Sequence, residues 1–248
     1  MRLKFLPVFV LTCFVFAGSA RAGMITATYS VDAGGSNANP LNGLAAMATF
    51  ETSGNTLNIL LKNTSTGMPA GFDTAASLLV SLGMSLPTGF SILSGNTAVV
   101  GPGSTGISQW SGLTSGSSVA NEWAWTNSGG GDLLVPYKQV ISTSSGNQSL
   151  THFTGGSGGL GGPYGGIAAS PLLANIPGTQ RAVSNSIAFS LTLSGALSDQ
   201  QLSEVANSSI VEFGSDVRYL KVPEPASMAL LALGGLLLTS RPRRTTRG

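Results

Sequence analysis

Cysteine and histidine are almost missing from this 248-residue chain, at one of each. Cys13 falls in an apolar stretch near the N-terminus, so nothing from Gly23 onward can form a disulfide. No Cys/His set is available to hold zinc. His152 would need a serine and a carboxylate beside it in space to act in a catalytic triad. Nothing in the pattern around it indicates that, and a loop or strand histidine without catalytic duty is expected. Charge is scarce too, at 9% Asp, Glu, Lys and Arg, and aromatics make up 7%. Long apolar runs occur only near the two ends.

Those ends carry most of the information. Arg2 and Lys4 precede a 13-residue apolar run over residues 5–17, and Ala20-Arg21-Ala22 follows. Basic start, short apolar centre and A-x-A end make a secretory signal peptide over residues 1–22, with the mature chain starting at Gly23. At the other end Pro223-Glu224-Pro225 is followed by an apolar and small-residue stretch over 226–240, then by Arg241, Arg243, Arg244 and Arg247. The prolines remove two backbone donors and disfavour helix before them. Met, Ala and Leu then favour helix. Fifteen residues reach roughly 22 Å as a helix, against about 30 Å of hydrocarbon. A short transmembrane helix is expected, with its arginines held cytoplasmic by the positive-inside rule.

The order Pro223-Glu224-Pro225, short apolar helix and terminal arginines resembles the PEP-CTERM sorting signal of bacterial exported proteins. The resemblance covers about a tenth of the chain, and Ala226 and Ser227 fit the small residues that usually follow the motif. It implies recognition and processing by an exosortase, a membrane-embedded cysteine transpeptidase. It further implies export by the Sec route, transient anchoring through the C-terminal helix, and delivery to the cell surface or a polysaccharide-rich extracellular matrix. Ala48-Thr49-Phe50, Gly54-Asn55-Thr56-Leu57, Leu61-Lys62-Asn63-Thr64-Ser65 and Val211-Glu212-Phe213-Gly214 also resemble segments of PEP-CTERM passenger domains.

Between the ends the charge balance reverses. Lys62, Lys138, Arg181, Arg218 and Lys221 are five basic residues against nine acids, a net charge of −4 over residues 23–222. The sequence pI near 8.9 therefore belongs to the targeting segments. No basic patch remains to attract nucleic acid. Three stretches alternate with period two: Ile25, Ala27, Tyr29 and Val31; Leu57, Ile59 and Leu61; Ile187, Phe189, Leu191 and Leu193. Such strands bury one face and wet the other. Further strands are expected at 46–51, 78–86, 91–100, 122–126, 210–213 and 217–220. Turn signals occur at Ser53-Gly54-Asn55, Ser94-Gly95-Asn96 and Ser145-Gly146-Asn147. One helix is expected from a cap at Ser198, with Gln201 completing a capping box, to about Ala206. The prediction is an all-β, single antiparallel β-sandwich or jelly-roll domain over 23–221, with the sorting signal occupying 222–248.

Candidate chemistry in this domain is thin. Eight glycines between Gly155 and Gly166 lack the Lys-Ser/Thr pair and following helix of a phosphate loop. An irregular surface loop is expected, pinned by Tyr164 and Ile167. Asp32, Asp73 and Asp132 lie in turn-like stretches, where solvated aspartates are favoured over calcium ligands. Paired carboxylates for glycoside hydrolysis would have to come from only nine acids. Trp110, Trp123, Trp125 and Tyr164 are candidate glycan contacts, with Tyr137 beside them in the aromatic group. Trp123 and Trp125 share a face if on a strand. Exposed they form a sugar platform; buried they are core, which is favoured. The expectation is a non-enzymatic exported protein without cofactor or metal. A carbohydrate-binding module is the alternative.

Overall fold

The computed structural model of the chain describes residues 23–30, 43–95, 98–129, 137–143, 153–155, 162–214 and 218–222. The predicted signal peptide and everything after Val222 lie outside these residues, as do His152, Asp32, Asp132 and the turn at 145–147.

Fifteen strands and one α-helix follow one another along the described residues. They are β1 (Met24–Ser30), β2 (Ala45–Ser53), β3 (Thr56–Asn63), β4 (Leu79–Met84), β5 (Ile92–Ser94), β6 (Val99–Val100), β7 (Gly106–Ser108) and β8 (Ala124–Thr126). Then come β9 (Gln139–Ser142), β10 (Thr154–Gly155), β11 (Ile167–Ala168), β12 (Arg181–Ser184), β13 (Ser186–Leu193), α1 (Asp199–Asn207), β14 (Ile210–Phe213) and β15 (Arg218–Lys221).

They build two sheets. The six-stranded sheet runs β1-β2-β3-β13-β5, with β6 also on β13. The nine-stranded sheet runs β10-β8-β9-β4-β11-β12-β7, with β14 on β4 and β15 on β14. Strands β2 and β3 join through the two residues Gly54-Asn55, so Ser53 faces Thr56 and register follows to Ala46 opposite Asn63. The alternating stretches follow their period where they are described: in β1 Ala27 and Tyr29 are buried and Ile25 partly so, while Val31 lies outside the described residues. In β3 Leu57, Ile59 and Leu61 are buried, as are Ile187, Phe189, Leu191 and Leu193 in β13. Both sheets contribute to one contiguous core, Phe50, Ile59 and Phe189 from one and Leu82, Ile141, Val183, Val211 and Phe213 from the other. Full burial of each large apolar side chain contributes about 1.5–3 kcal/mol.

One pairing departs from an all-antiparallel arrangement: β11 and β12 are parallel, with Ile167 opposite Val183. The 12 residues from 169 to 180 supply the crossover that a parallel pair needs. The stretch expected as one strand over 91–100 is two strands, β5 and β6. Both pair with the long β13, at different positions along it.

Helix α1 starts as the sequence predicts. Ser198 Oγ accepts from Gln201 N, and Ser198 N donates to Gln201 Oε1 at 2.9 Å. Leu202, Val205 and Ala206 place its inner face in the core. Asn63, 1% exposed, ties β3 to the other sheet: its Nδ2 donates to Ile167 O at 2.8 Å and to Ser77 O at 3.1 Å. Its Oδ1 accepts from Ser65 N.

Candidate functional site

The aromatic candidates separate into two pairs. Trp123 is fully buried and meets Phe189 edge-on, with ring centroids 5.1 Å apart. Its Nε1 donates to Gly165 O at 3.0 Å. Trp125 is 7% exposed and belongs to the same core. Neither offers a ring face to a sugar, which corrects their candidacy as an exposed platform. Trp123 stands just ahead of β8 and Trp125 within it, and all three residues of that strand are buried. Trp110 and Tyr164 are half-buried, at the margin of the core.

Trp110 lies beside a polar node that the sequence did not single out, and Tyr164 packs nearby against the cluster of Leu78, Val80 and Ala182. Glu122 ends a turn just ahead of β8, where its amide donates to Val119 O. Arg181 opens β12. Arg181 Nη2 lies 2.8 Å from Glu122 Oε1, and the Arg181 guanidinium carbon is 5.9 Å from the centroid of the Trp110 ring. The backbone of the glycine-rich run closes on the pair: Gly165 N donates to Arg181 O at 2.7 Å. Gly165 has φ +98°, and a Cβ there would lie 2.9 Å from Thr143 Oγ1 and 3.5 Å from Glu122 Oε2. Only glycine suits that conformation and that approach.

Among the described residues Glu122 Oε2, Thr143 Oγ1 and Arg181 Nε have no hydrogen-bond partner. Buried polar atoms are rarely left so. Chemically the node offers a carboxylate oxygen, a hydroxyl and a guanidinium N–H, a set suited to a hydroxyl-bearing ligand or a water. The sequence signal was present in its rarity, since Arg181 is one of five basic residues in a 200-residue segment. Proximity of Glu122 to Arg181 across 59 positions was not readable.

A second polar group crosses the nine-stranded sheet. Glu212 stands opposite Ser81 on one side and Tyr219 on the other. Ser81 Oγ donates to Glu212 Oε2 at 2.7 Å and lies 2.6 Å from Ser142 Oγ. Burial pushes the Glu212 carboxyl up to about 7, against the opposing pull of the hydrogen bonds from Ser81 and Tyr219. Glu122 and Glu212 thus have different partners, an arginine and a serine.

Asp73 precedes a short 3₁₀ turn at Ala75–Ser77, and its Oδ1 accepts from Ala76 N at 2.8 Å. Among the described residues no group of three or more His, Cys, Asp or Glu could hold a metal. Ile167 is fully buried and, with half-buried Tyr164, fixes the end of the glycine-rich run. A groove of about 430 Å³ lies on the six-stranded sheet, lined by Met24, Glu51, Asn58, Leu60 and Val99 among others. None of the four aromatic candidates lines it.

Gly23, the expected first mature residue, continues the β1–β2 ladder, its carbonyl accepting from Thr52 N at 3.2 Å. Ala20, Ala22, Pro223, Glu224, Pro225 and the four terminal arginines lie outside the described residues. Among the described residues no helix is long and apolar enough to cross a membrane; the 226–240 stretch is not among them.

A β-rich domain whose last strand, β15, runs straight into a Pro-Glu-Pro segment defines a class: a folded passenger with an appended C-terminal signal. The model of the PEP-CTERM protein-sorting motif matches residues 221–244, and the chain is a PEP-CTERM motif-containing protein. The motif marks exosortase-dependent sorting of an exported, transiently membrane-anchored protein. No curated protein and no solved structure matches the chain.

Proposed function

We propose that this chain is a non-enzymatic exported protein of the cell surface or extracellular matrix, associated with extracellular polysaccharide. The Sec route removes residues 1–22. A β-sandwich or jelly-roll passenger over 23–221 folds outside the cytoplasm. The sorting signal over 222–248 holds it in the membrane by its short helix until an exosortase-like transpeptidase acts at Pro223-Glu224-Pro225. One observation carries this reading: the sorting-motif match at residues 221–244 begins where the last strand of the folded part ends. The low-charge surface rich in Ser, Thr and Asn suits a sugar-rich surrounding.

Mass spectrometry of the protein from its exosortase-bearing host tests it. Mature protein is expected to yield no peptide beyond Pro225. Replacing Pro223, Glu224 and Pro225 together by alanine is expected to leave the full-length form in the membrane. A native chain still ending at Gly248 in such cells would reject the processing.

A second reading is a carbohydrate-binding module. Half-buried Trp110 over Arg181, whose Nε is left unpartnered among the described residues together with Glu122 Oε2 and Thr143 Oγ1, favours it. Polysaccharide binding should then quench tryptophan fluorescence, and Trp110→Ala should abolish the response. Silence across a broad glycan panel would remove this reading.

A further inference from the structure

From the geometry at the start of β1 we infer that signal-peptide removal creates an ion pair between the new Gly23 α-ammonium and Asp199 of α1. The inference rests on the export reading above, and on cleavage between Ala22 and Gly23. Gly23 is held by the β1–β2 ladder, through its carbonyl and Thr52 N and through Met24 opposite Glu51. Its α-carbon lies so close to α1 that an added Cβ would overlap Asp199 Oδ1, and would also meet Leu202 Cδ2 at 3.5 Å. Oδ1 is therefore within about 4 Å of the Gly23 α-carbon, and the nitrogen sits only ~1.46 Å from that carbon. Rotation about the terminal bonds carries a freed amine onto the carboxylate.

Before cleavage this nitrogen is a neutral amide. After cleavage it is an ammonium with an ordinary pKa of about 7.7–8.0. Asp199 is fixed in the first turn of α1 by the Ser198–Gln201 capping box beside it. Glu51, opposite Met24, is the other carboxylate near this end of the ladder. Processing thus adds a charge at the one place where an exposed aspartate already waits, and fastens the edge strand β1 to α1. A side chain at residue 23 would have to turn the exposed Asp199 carboxylate away from this place.

The test uses mature protein recovered from the exporting host. Its N-terminus is sequenced, and melting temperatures are compared for the native form, the selectively N-acetylated form, Asp199→Asn and the acetylated Asp199→Asn protein. Acetylation and D199N should each lower the melting temperature by about 1–3 °C, the range of an exposed ion pair in a domain this size. Because both remove the same pair, the doubly altered protein should melt where the singly altered ones do. The α-amine, titrated by NMR, should have a higher pKa in the native protein than in D199N. A chain that starts at Gly23 but shows additive or absent effects would overturn the ion pair and leave export standing. A mature chain cut at another bond would overturn the ion pair and leave export standing, and one that still starts at Met1 would overturn both.

Discussion

At the scale of single residues, Glu212 has the clearest energetic signature. Its carboxyl titrates near 7 in the folded protein against 4.5 for the ordinary group. A raised carboxyl pKa means that the unfolded chain ionises first. Its effect on stability is absent below pH 4.5, grows as pH rises toward 7, and is complete above it. The loss amounts to roughly 3 kcal/mol, since each unit is about 1.36 kcal/mol. Glu212→Gln keeps the shape and removes the titration. Its melting temperature should therefore be less sensitive than that of the wild type between pH 5 and pH 8, and above that of the wild type at pH 8. Equal pH dependence in the two proteins would show that Glu212 ionises freely. The tryptophans make a second test at this scale. Trp123 and Trp125 are shielded while Trp110 is partly open. Iodide should quench only a minor part of the emission, and Trp110→Phe should remove most of that part.

At the scale of elements, Asn63 links the two sheets. Asn63→Ala leaves the carbonyls of Ser77 and Ile167 and the amide of Ser65 without their side-chain partner. Each orphaned buried group costs about 1–3 kcal/mol, so a loss of several kcal/mol is expected in urea unfolding. Ser198→Ala should cost about 1 kcal/mol by removing a helix cap. The helix and the long strands were legible because their signals are local. Ser198 and Gln201 are three residues apart, and Leu57, Ile59 and Leu61 in β3 and Ile187, Phe189, Leu191 and Leu193 in β13 recur with period two. Strands β7, β9, β10, β11 and β12 were not legible. Gln139–Ser142 is buried on both faces, so it has no alternation to read, and Ile167–Ala168 is too short to show any period. Register between distant strands, and with it the meeting of Glu122, Arg181 and Thr143, depends on how long connections return. No short window of sequence encodes that. The same limit applied to Trp123 and Trp125: spacing placed them near one another, but only the second sheet decides that they are buried.

For the whole molecule, charge separates the folded part from its delivery signals. The full chain is +2 at pH 7, with a pI near 8.9. Residues 1–22 contain Arg2, Lys4 and Arg21, three positive charges and no acid. Residues 223–248 contain four arginines and Glu224, again a net of three. Loss of either end thus takes the protein from +2 to −1, and loss of both takes it to −4. The new α-amine at Gly23 replaces the one at Met1, and a cut carbonyl passed by the transpeptidase to a neutral acceptor, having no free carboxylate, makes the last step one charge smaller. A cut after Pro225 rather than before Pro223 keeps Glu224 and deepens the last step by one charge. Isoelectric focusing of protein from the membrane and from the cell surface should therefore give separate bands, basic for the precursor and acidic for the mature form. Intact mass identifies which end each band has lost. The surface form should bind an anion exchanger and pass through a cation exchanger at pH 7. A surface form that focuses near the precursor would mean that both basic ends survive export, and the passenger would then be neither cleaved at Gly23 nor released by the sorting enzyme.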